Sequence, residues 1–175
     1  MSYKIIFVAD IFGKNQNLQT LINDCLIDDV YILDPYQGQE ASFDDESLAY
    51  QAFIDQGGLE SYTLQLKQYL EQQTEPVKLI GFSAGASAIW QLLSESSGVS
   101  HNIIDAMCFY PGQIRYFTDI VPAVNTLIIF PGFESHFELE PIIDNLRNRQ
   151  NLSLINTDLE HGFMNTPLGR QHYLM

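Results

Sequence analysis

Six short apolar runs recur along this chain, and they restrict its fold more than any other feature: YKIIFVAD (3–10), DVYILD (29–34), VKLIGF (77–82), IDAMCFYP (104–111), TLIIF (126–130) and LSLINTD (152–158). Most are nearly continuous in apolar residues rather than alternating, which is the pattern of strands covered on both faces. Between them lie stripes with three-and-four spacing: Leu18, Leu21, Ile22, Cys25 and Leu26, then Leu59, Tyr62, Leu66, Tyr69 and Leu70. A third stripe, Ile142, Ile143 and Leu146, follows Pro141, a residue suited to a first helical turn. Strand and helix alternate throughout, so the expected architecture is α/β, a mainly parallel six-stranded sheet with right-handed crossovers. In such sheets ligands bind at the carboxyl ends of the strands. A length of 175 residues suits one domain covering 1–175.

Composition narrows the partners. No apolar run approaches the ~20 residues of a membrane span. A formal charge of −14 argues against binding to nucleic acid or to an anionic membrane surface. Asp24, Asp28, Asp29, Asp44, Asp45 and Glu46 read as solvated acidic surface. The first ten residues offer only Lys4 as a basic residue before a short apolar run that meets Asp10, with no small-residue cleavage site, so the expected location is cytoplasmic. Cys25 and Cys108 sit within apolar patterns and are predicted to be buried thiols. Residues 35–58, rich in Gln, Asp and Gly, read as a long irregular stretch that follows a strand end and could wall a site.

The chemistry concentrates at GFSAG, 81–85. A G-x-S-x-G match alone is weak, but here a strand-like run precedes it and a helix-like run of Ala84, Ala86, Ala88, Ile89, Trp90, Leu92 and Leu93 follows. That context is the one a nucleophile elbow requires. Glycine two residues before and after the serine removes side chains that would meet neighbouring backbone. A tight packing corner between strand and helix is the competing explanation. Ser83 needs a general base. His161, just after the last strand, shares the carboxyl edge with Ser83; His136 is its rival, while His101 and His172 lie in polar segments. The end of the first strand, VADIFGKN, offers the N–H of Ile11 or Phe12 as an oxyanion donor beside that of Ala84. Asp10, Phe12, Tyr36, Phe82, Tyr110, Gly112 and Phe133 end or follow strands and are candidate substrate-binding residues. Arg115 could pair with an anionic substrate or balance an acidic surface. No set of His, Asp or Glu has convincing metal spacing; His136 with Glu138 and Glu140 is the thin exception.

Taken in order, DIFG (10–13), GFSAG (81–85) and HGFMN (161–165) resemble the dienelactone hydrolase family of α/β-hydrolases, and DPY (34–36) and GGLESYTLQLKQYL (57–70) match further pieces. The resemblance covers almost the whole chain. It implies a pared-down α/β-hydrolase-like fold without the opening hairpin and with strand order 2-1-3-4-5-6, close to a flavodoxin-like sheet. It also implies hydrolysis of a small ester or lactone by a nucleophile, histidine and acid triad, with no metal or organic cofactor. The family's namesakes carry cysteine where this chain has Ser83. Its acid is an aspartate in a G-x-x-D turn, where GFES (132–135) here supplies Ser135. Glu134 is then the nearest substitute and Glu138 the next. A hydrolase-like binding protein with weakened chemistry is the alternative that the missing aspartate keeps open.

Overall fold

The computed structural model describes residues 3–27, 29–39, 41–94 and 102–164. Six parallel strands form one sheet in the order β2-β1-β3-β4-β5-β6. They are β1 (Lys4–Val8), β2 (Val30–Leu33), β3 (Val77–Phe82), β4 (Ile103–Phe109), β5 (Asn125–Phe130) and β6 (Leu152–Asn156). Each lies within one or two residues of its apolar run. The helices are α1 (Gln16–Asp24), α2 (Glu46–Asp55), α3 (Gly58–Glu71), α4 (Ala84–Leu92) and α5 (Glu140–Leu146), with a 3-10 helix over Gly112–Tyr116.

Strand order dictates the layers. The chain first steps from β1 outward to β2, then returns to the other side of β1 and continues to β6. With right-handed crossovers, that single reversal puts α1 on one face and the later helices on the other. The cores divide accordingly. Leu18 and Ile22 of α1 pack with Ile5, Phe7, Phe82 and Phe109. On the opposite face, Phe53, Tyr62, Leu66, Trp90, Ile143 and Leu146 pack with Ile6, Val8, Leu79 and Ile128. The reversal leaves a crevice between the carboxyl ends of β1 and β3, where sheets of this topology bind ligands.

Two expectations fail. Residues 35–58 are not irregular throughout, because Asp45 caps α2, its carboxylate accepting the Leu48 N–H at 2.9 Å. The pattern concealed this helix because it buries only Ala49 and Phe53 while Leu48, Tyr50 and Ile54 face outward. Cys25 is exposed, whereas Cys108 is buried in β4, where burial pushes its thiol up to about 12. Helix α1 stops at Asp24, so the end of the predicted stripe runs past the sheet and Leu26 is 90% exposed. No helix among the described residues is long and apolar enough to cross a membrane.

Candidate active site

The serine turn is a product of close packing. A Cβ on Gly85 would stand 2.2 Å from the Val8 carbonyl oxygen and 2.4 Å from that of Ala9, so glycine there lets the start of α4 press against β1. A Cβ on Gly81 would stand 2.7 Å from the Cα of Ala86, which fixes the approach of β3 to the same helix. Between them Ser83 is held at φ 48°, ψ −108°, a region that non-glycine residues rarely occupy. Its N–H donates to the Phe109 carbonyl at 3.0 Å and its carbonyl accepts the Ser87 N–H at 2.9 Å, so both ends of the strained peptide are anchored. The buried Ser87 hydroxyl also donates to the Ser83 carbonyl at 3.0 Å and accepts the Gln113 N–H at 3.2 Å. Ser87 thereby ties the elbow to the 3-10 helix, a role hidden in sequence because a helical serine four residues on carries no motif.

His161 comes to Ser83 from the far side of the sheet. The loop after β6 meets the loop after β5 at Gly132, where a Cβ would lie 2.9 Å from the Cα of Asp158. Here the Gly132 N–H donates to the Leu159 carbonyl at 2.7 Å. That contact brings three side chains into line. His161 Nε2 lies 3.0 Å from Ser83 Oγ, and His161 Nδ1 lies 2.7 Å from Glu134 Oε1. The Glu134 side chain is only 9% exposed while the imidazole is 34% exposed, so the carboxylate sits behind the ring that faces solvent. Ser135, Glu138 and His136 are exposed on the same loop. Tyr110 packs its ring 4.8 Å from that of His161 and is itself held at φ 42°, with its N–H donating to Ile129 at 2.8 Å. His101 and His172, together with Asn165 of the HGFMN motif, lie outside the described residues.

The loop after β1 is shaped by a buried acid. Asp10 Oδ1 accepts the Phe12 N–H at 2.8 Å, which engages one of the two expected oxyanion donors and leaves Ile11 as the remaining one. The Ala84 N–H belongs to the first turn of α4, where no intrahelical acceptor exists. Tyr36 fastens the Ile11 peptide from behind, its hydroxyl donating to the Ile11 carbonyl at 2.5 Å, with the Ala49 carbonyl of α2 at 3.3 Å. Burial, followed by the charges of Asp10 and Asp34, pushes the Tyr36 phenol up to about 12. Asp34 organises the adjacent turn by accepting the N–H groups of Tyr36 at 2.8 Å and Gly38 at 3.0 Å. DIFG and DPY are thus aspartate-nucleated turns that set the loop after β1.

Several residues expected to touch substrate stand elsewhere. Asp10 and Tyr36 are buried, with Asp10 Oδ1 accepting the Phe12 N–H and the Tyr36 hydroxyl donating to the Ile11 carbonyl. Phe82 is wholly buried between Phe7 and Phe109, beneath the crevice. Phe12 is half-buried, Gly112 flanks His161, and Phe133 is 59% exposed at the rim. Among the described residues no group of three His, Cys, Asp or Glu side chains is placed to hold a metal ion.

Comparison with known proteins agrees with this architecture. No protein-family model matches the chain. It is 26% identical over 169 residues to the uncharacterized protein YczH of Bacillus subtilis (strain 168), an alignment that spans 92% of this chain and 80% of that one. A dienelactone hydrolase-like promiscuous phosphotriesterase from metagenomic libraries superposes with a TM-score of 0.65 at 14% identity, covering 98% of this chain and 76% of the other. A lipase-esterase related protein from Clostridium acetobutylicum ATCC 824 gives 0.62 at 8% identity, with 97% and 91% covered. The N-formylmaleamic acid deformylase of Pseudomonas putida S16 gives 0.61 at 10% identity, with 99% and 92% covered. The fold is α/β-hydrolase-like, in the strand order that the family resemblance implies.

Proposed function

We propose that this protein is a serine hydrolase that cleaves a carboxylic ester, lactone or thioester bond of a small substrate. One observation carries the reading: Ser83, His161 and Glu134 form a continuous hydrogen-bonded line with separations of 3.0 and 2.7 Å, anchored on three different strand ends. Ser83 Oγ attacks the substrate carbonyl while His161 Nε2 takes the hydroxyl proton. Glu134 holds Nδ1 protonated, so that Nε2 is the free base, and stabilises the imidazolium that forms. The N–H groups of Ile11 and Ala84 receive the negative charge on the carbonyl oxygen. The tetrahedral intermediate collapses, the leaving oxygen or sulfur takes the proton from His161, and an acyl-Ser83 ester remains. Water, deprotonated by the same imidazole, then releases the acid and restores the serine.

Glutamate in place of aspartate is compatible with this scheme. The carboxylate sits one residue before the family's usual slot, and its extra methylene spans the offset to Nδ1. The reading has further support in the likeness of fold to solved structures described as hydrolases. The test is acylation by a fluorophosphonate probe together with release of p-nitrophenol from p-nitrophenyl acetate. Labelling confined to Ser83, with both signals abolished in Ser83→Ala, is the expected result. A wild-type protein that is neither labelled nor active, yet gains thermal stability from a small ligand, would instead be a binding protein on a hydrolase scaffold.

A further inference from the structure

We infer that Tyr110 is a positioning residue for the hydrolysis at Ser83: its ring is the platform that holds the His161 imidazole in line with the serine. This inference rests on the hydrolase reading above and adds to it a residue that acts through the histidine rather than on the substrate.

Two hydrogen bonds do not fix an imidazole. The contacts of 3.0 Å from Nε2 to Ser83 Oγ and 2.7 Å from Nδ1 to Glu134 Oε1 define a line across the ring, and rocking about that line is left free. One of them is also lost in each turnover, because Oγ becomes an ester oxygen and Nε2 must then turn its proton to the leaving group. A partly exposed ring on a loop needs a third contact off that line. Tyr110 makes it, with ring centroids 4.8 Å apart and planes at 51°, inside the ~4.5–7 Å range of aromatic pairs. Gly112 faces the Cε1 edge, where a Cβ would lie 3.9 Å from His161 Cε1.

The backbone is bent to deliver this ring. Successive residues of a strand face opposite sides of the sheet, so Tyr110, next after Phe109 at the end of β4, would belong on the far face. Instead both pack in one cluster with Phe82 and Phe163. The turn is made at Tyr110 itself, at φ 42°, a left-handed conformation in which a bulky side chain is strained. Its N–H is tied to the Ile129 carbonyl at 2.8 Å. Phe163, two residues after His161, sets its ring 5.1 Å from that of Tyr110 at 70°, so the tyrosine grips the histidine's turn at two points.

The platform belongs to the same frame as the nucleophile. Gln113, in the loop that Tyr110 begins, donates its N–H to Ser87 Oγ at 3.2 Å, and that hydroxyl donates to the Ser83 carbonyl at 3.0 Å. Movement of the ring relative to the serine is thereby restrained. Tyr110 is only 1% exposed, which leaves it almost no surface to offer a substrate and separates positioning from binding.

The test is steady-state hydrolysis of p-nitrophenyl acetate by the wild type, Tyr110→Phe and Tyr110→Leu. Each kcat is divided by the fraction of Ser83 that a fluorophosphonate labels at completion, so misfolded protein drops out of the comparison. Tyr110→Leu, which removes the ring, should lower kcat and kcat/KM alike by about 10²-fold, the scale of loss when a catalytic group is displaced, and should slow labelling in step. Tyr110→Phe, which keeps the ring, should stay close to wild type in both. An undiminished kcat in Tyr110→Leu, a change confined to KM, or a Tyr110→Phe as impaired as Tyr110→Leu would overturn the assignment while leaving the hydrolase intact. A second measurement needs no variant and stands even if Tyr110→Leu does not fold. In the wild-type protein, nuclear Overhauser effects should connect the Tyr110 ring to the His161 ring protons both before and after phosphonylation of Ser83. Their absence from the phosphonylated protein would overturn the platform. A wild type inert to both ester and probe would overturn the hydrolase reading itself.

Discussion

The two halves of the candidate site are built by different means. On the β1 and β3 side, Ser83 and the Ile11 loop are fixed by backbone: glycine contacts with strand carbonyls, a strained peptide anchored at both ends, and buried Asp10 and Tyr36 fastening the turn. On the β5 and β6 side, Glu134 and His161 project from exposed loops that meet at Gly132, and their alignment depends on two side-chain hydrogen bonds. One half is part of the core and the other is a contact between loops. Disturbing the first should therefore cost stability, whereas disturbing the second should cost catalysis alone.

The sharpest break in that comparison is Glu134→Gln. The amide keeps the shape but no longer fixes the tautomer of His161, and the equivalent loss in a triad lowers turnover by about 10⁴-fold. Hydrolysis of p-nitrophenyl acetate should fall on that scale while the melting temperature changes far less, since the isosteric amide still fills the pocket behind the ring and can accept from Nδ1. Glu138→Gln is the control and should leave turnover near wild type. A large effect from Glu138 with none from Glu134 would show that the acid has been misassigned.

Gly85→Ala tests the opposite half. Its Cβ would stand 2.2 Å from a strand carbonyl that is fixed in the sheet ladder, so α4 or β1 must move. Overpacking of this kind costs about 1–3 kcal/mol and sometimes more. An unfolding free energy from urea titration lowered by that amount is expected, with loss of activity in step because the Ala84 N–H shifts with the helix. Ser135→Ala, on the other half, should alter the midpoint barely at all.

The same division explains what could be read from the sequence. Strands and stripes came from apolar pattern, which the core enforces, and GFSAG carried its own steric signature in Gly81 and Gly85. Helix α2 escaped because only Ala49 and Phe53 are buried, too few to make a stripe. Cys25 was misplaced because periodicity continues past the point where the sheet ends. Glu134 could be named only as the nearer of two substitutes, since what selects it over Glu138 is the approach of two loops at Gly132, a contact between residues far apart in the chain. Tyr36 and Asp10 were placed at the correct edge, but pattern alone does not distinguish a side chain facing substrate from one fastening the backbone behind it.

The smallest expected effect separates those two roles for Tyr36. Tyr36→Phe removes the hydroxyl that donates to the Ile11 carbonyl, a buried hydrogen bond whose loss should cost about 1–2 kcal/mol at pH 8. The phenol titrates near 12 in the folded protein against about 10 in an unfolded chain. Between those values the unfolded chain loses a proton that the folded protein retains, so stability falls as pH rises. The contribution of Tyr36 is complete below about pH 10 and declines through about pH 12. Tyr62, wholly buried with its hydroxyl 3.0 Å from the carbonyls of Ala9 and Leu33, is shifted the same way, chiefly by burial, in both proteins. Urea unfolding at pH 8 and pH 11 should therefore show a wild-type advantage that narrows at the higher pH. A gap that widens with alkalinity would mean that the phenol is not held neutral against the Ile11 carbonyl.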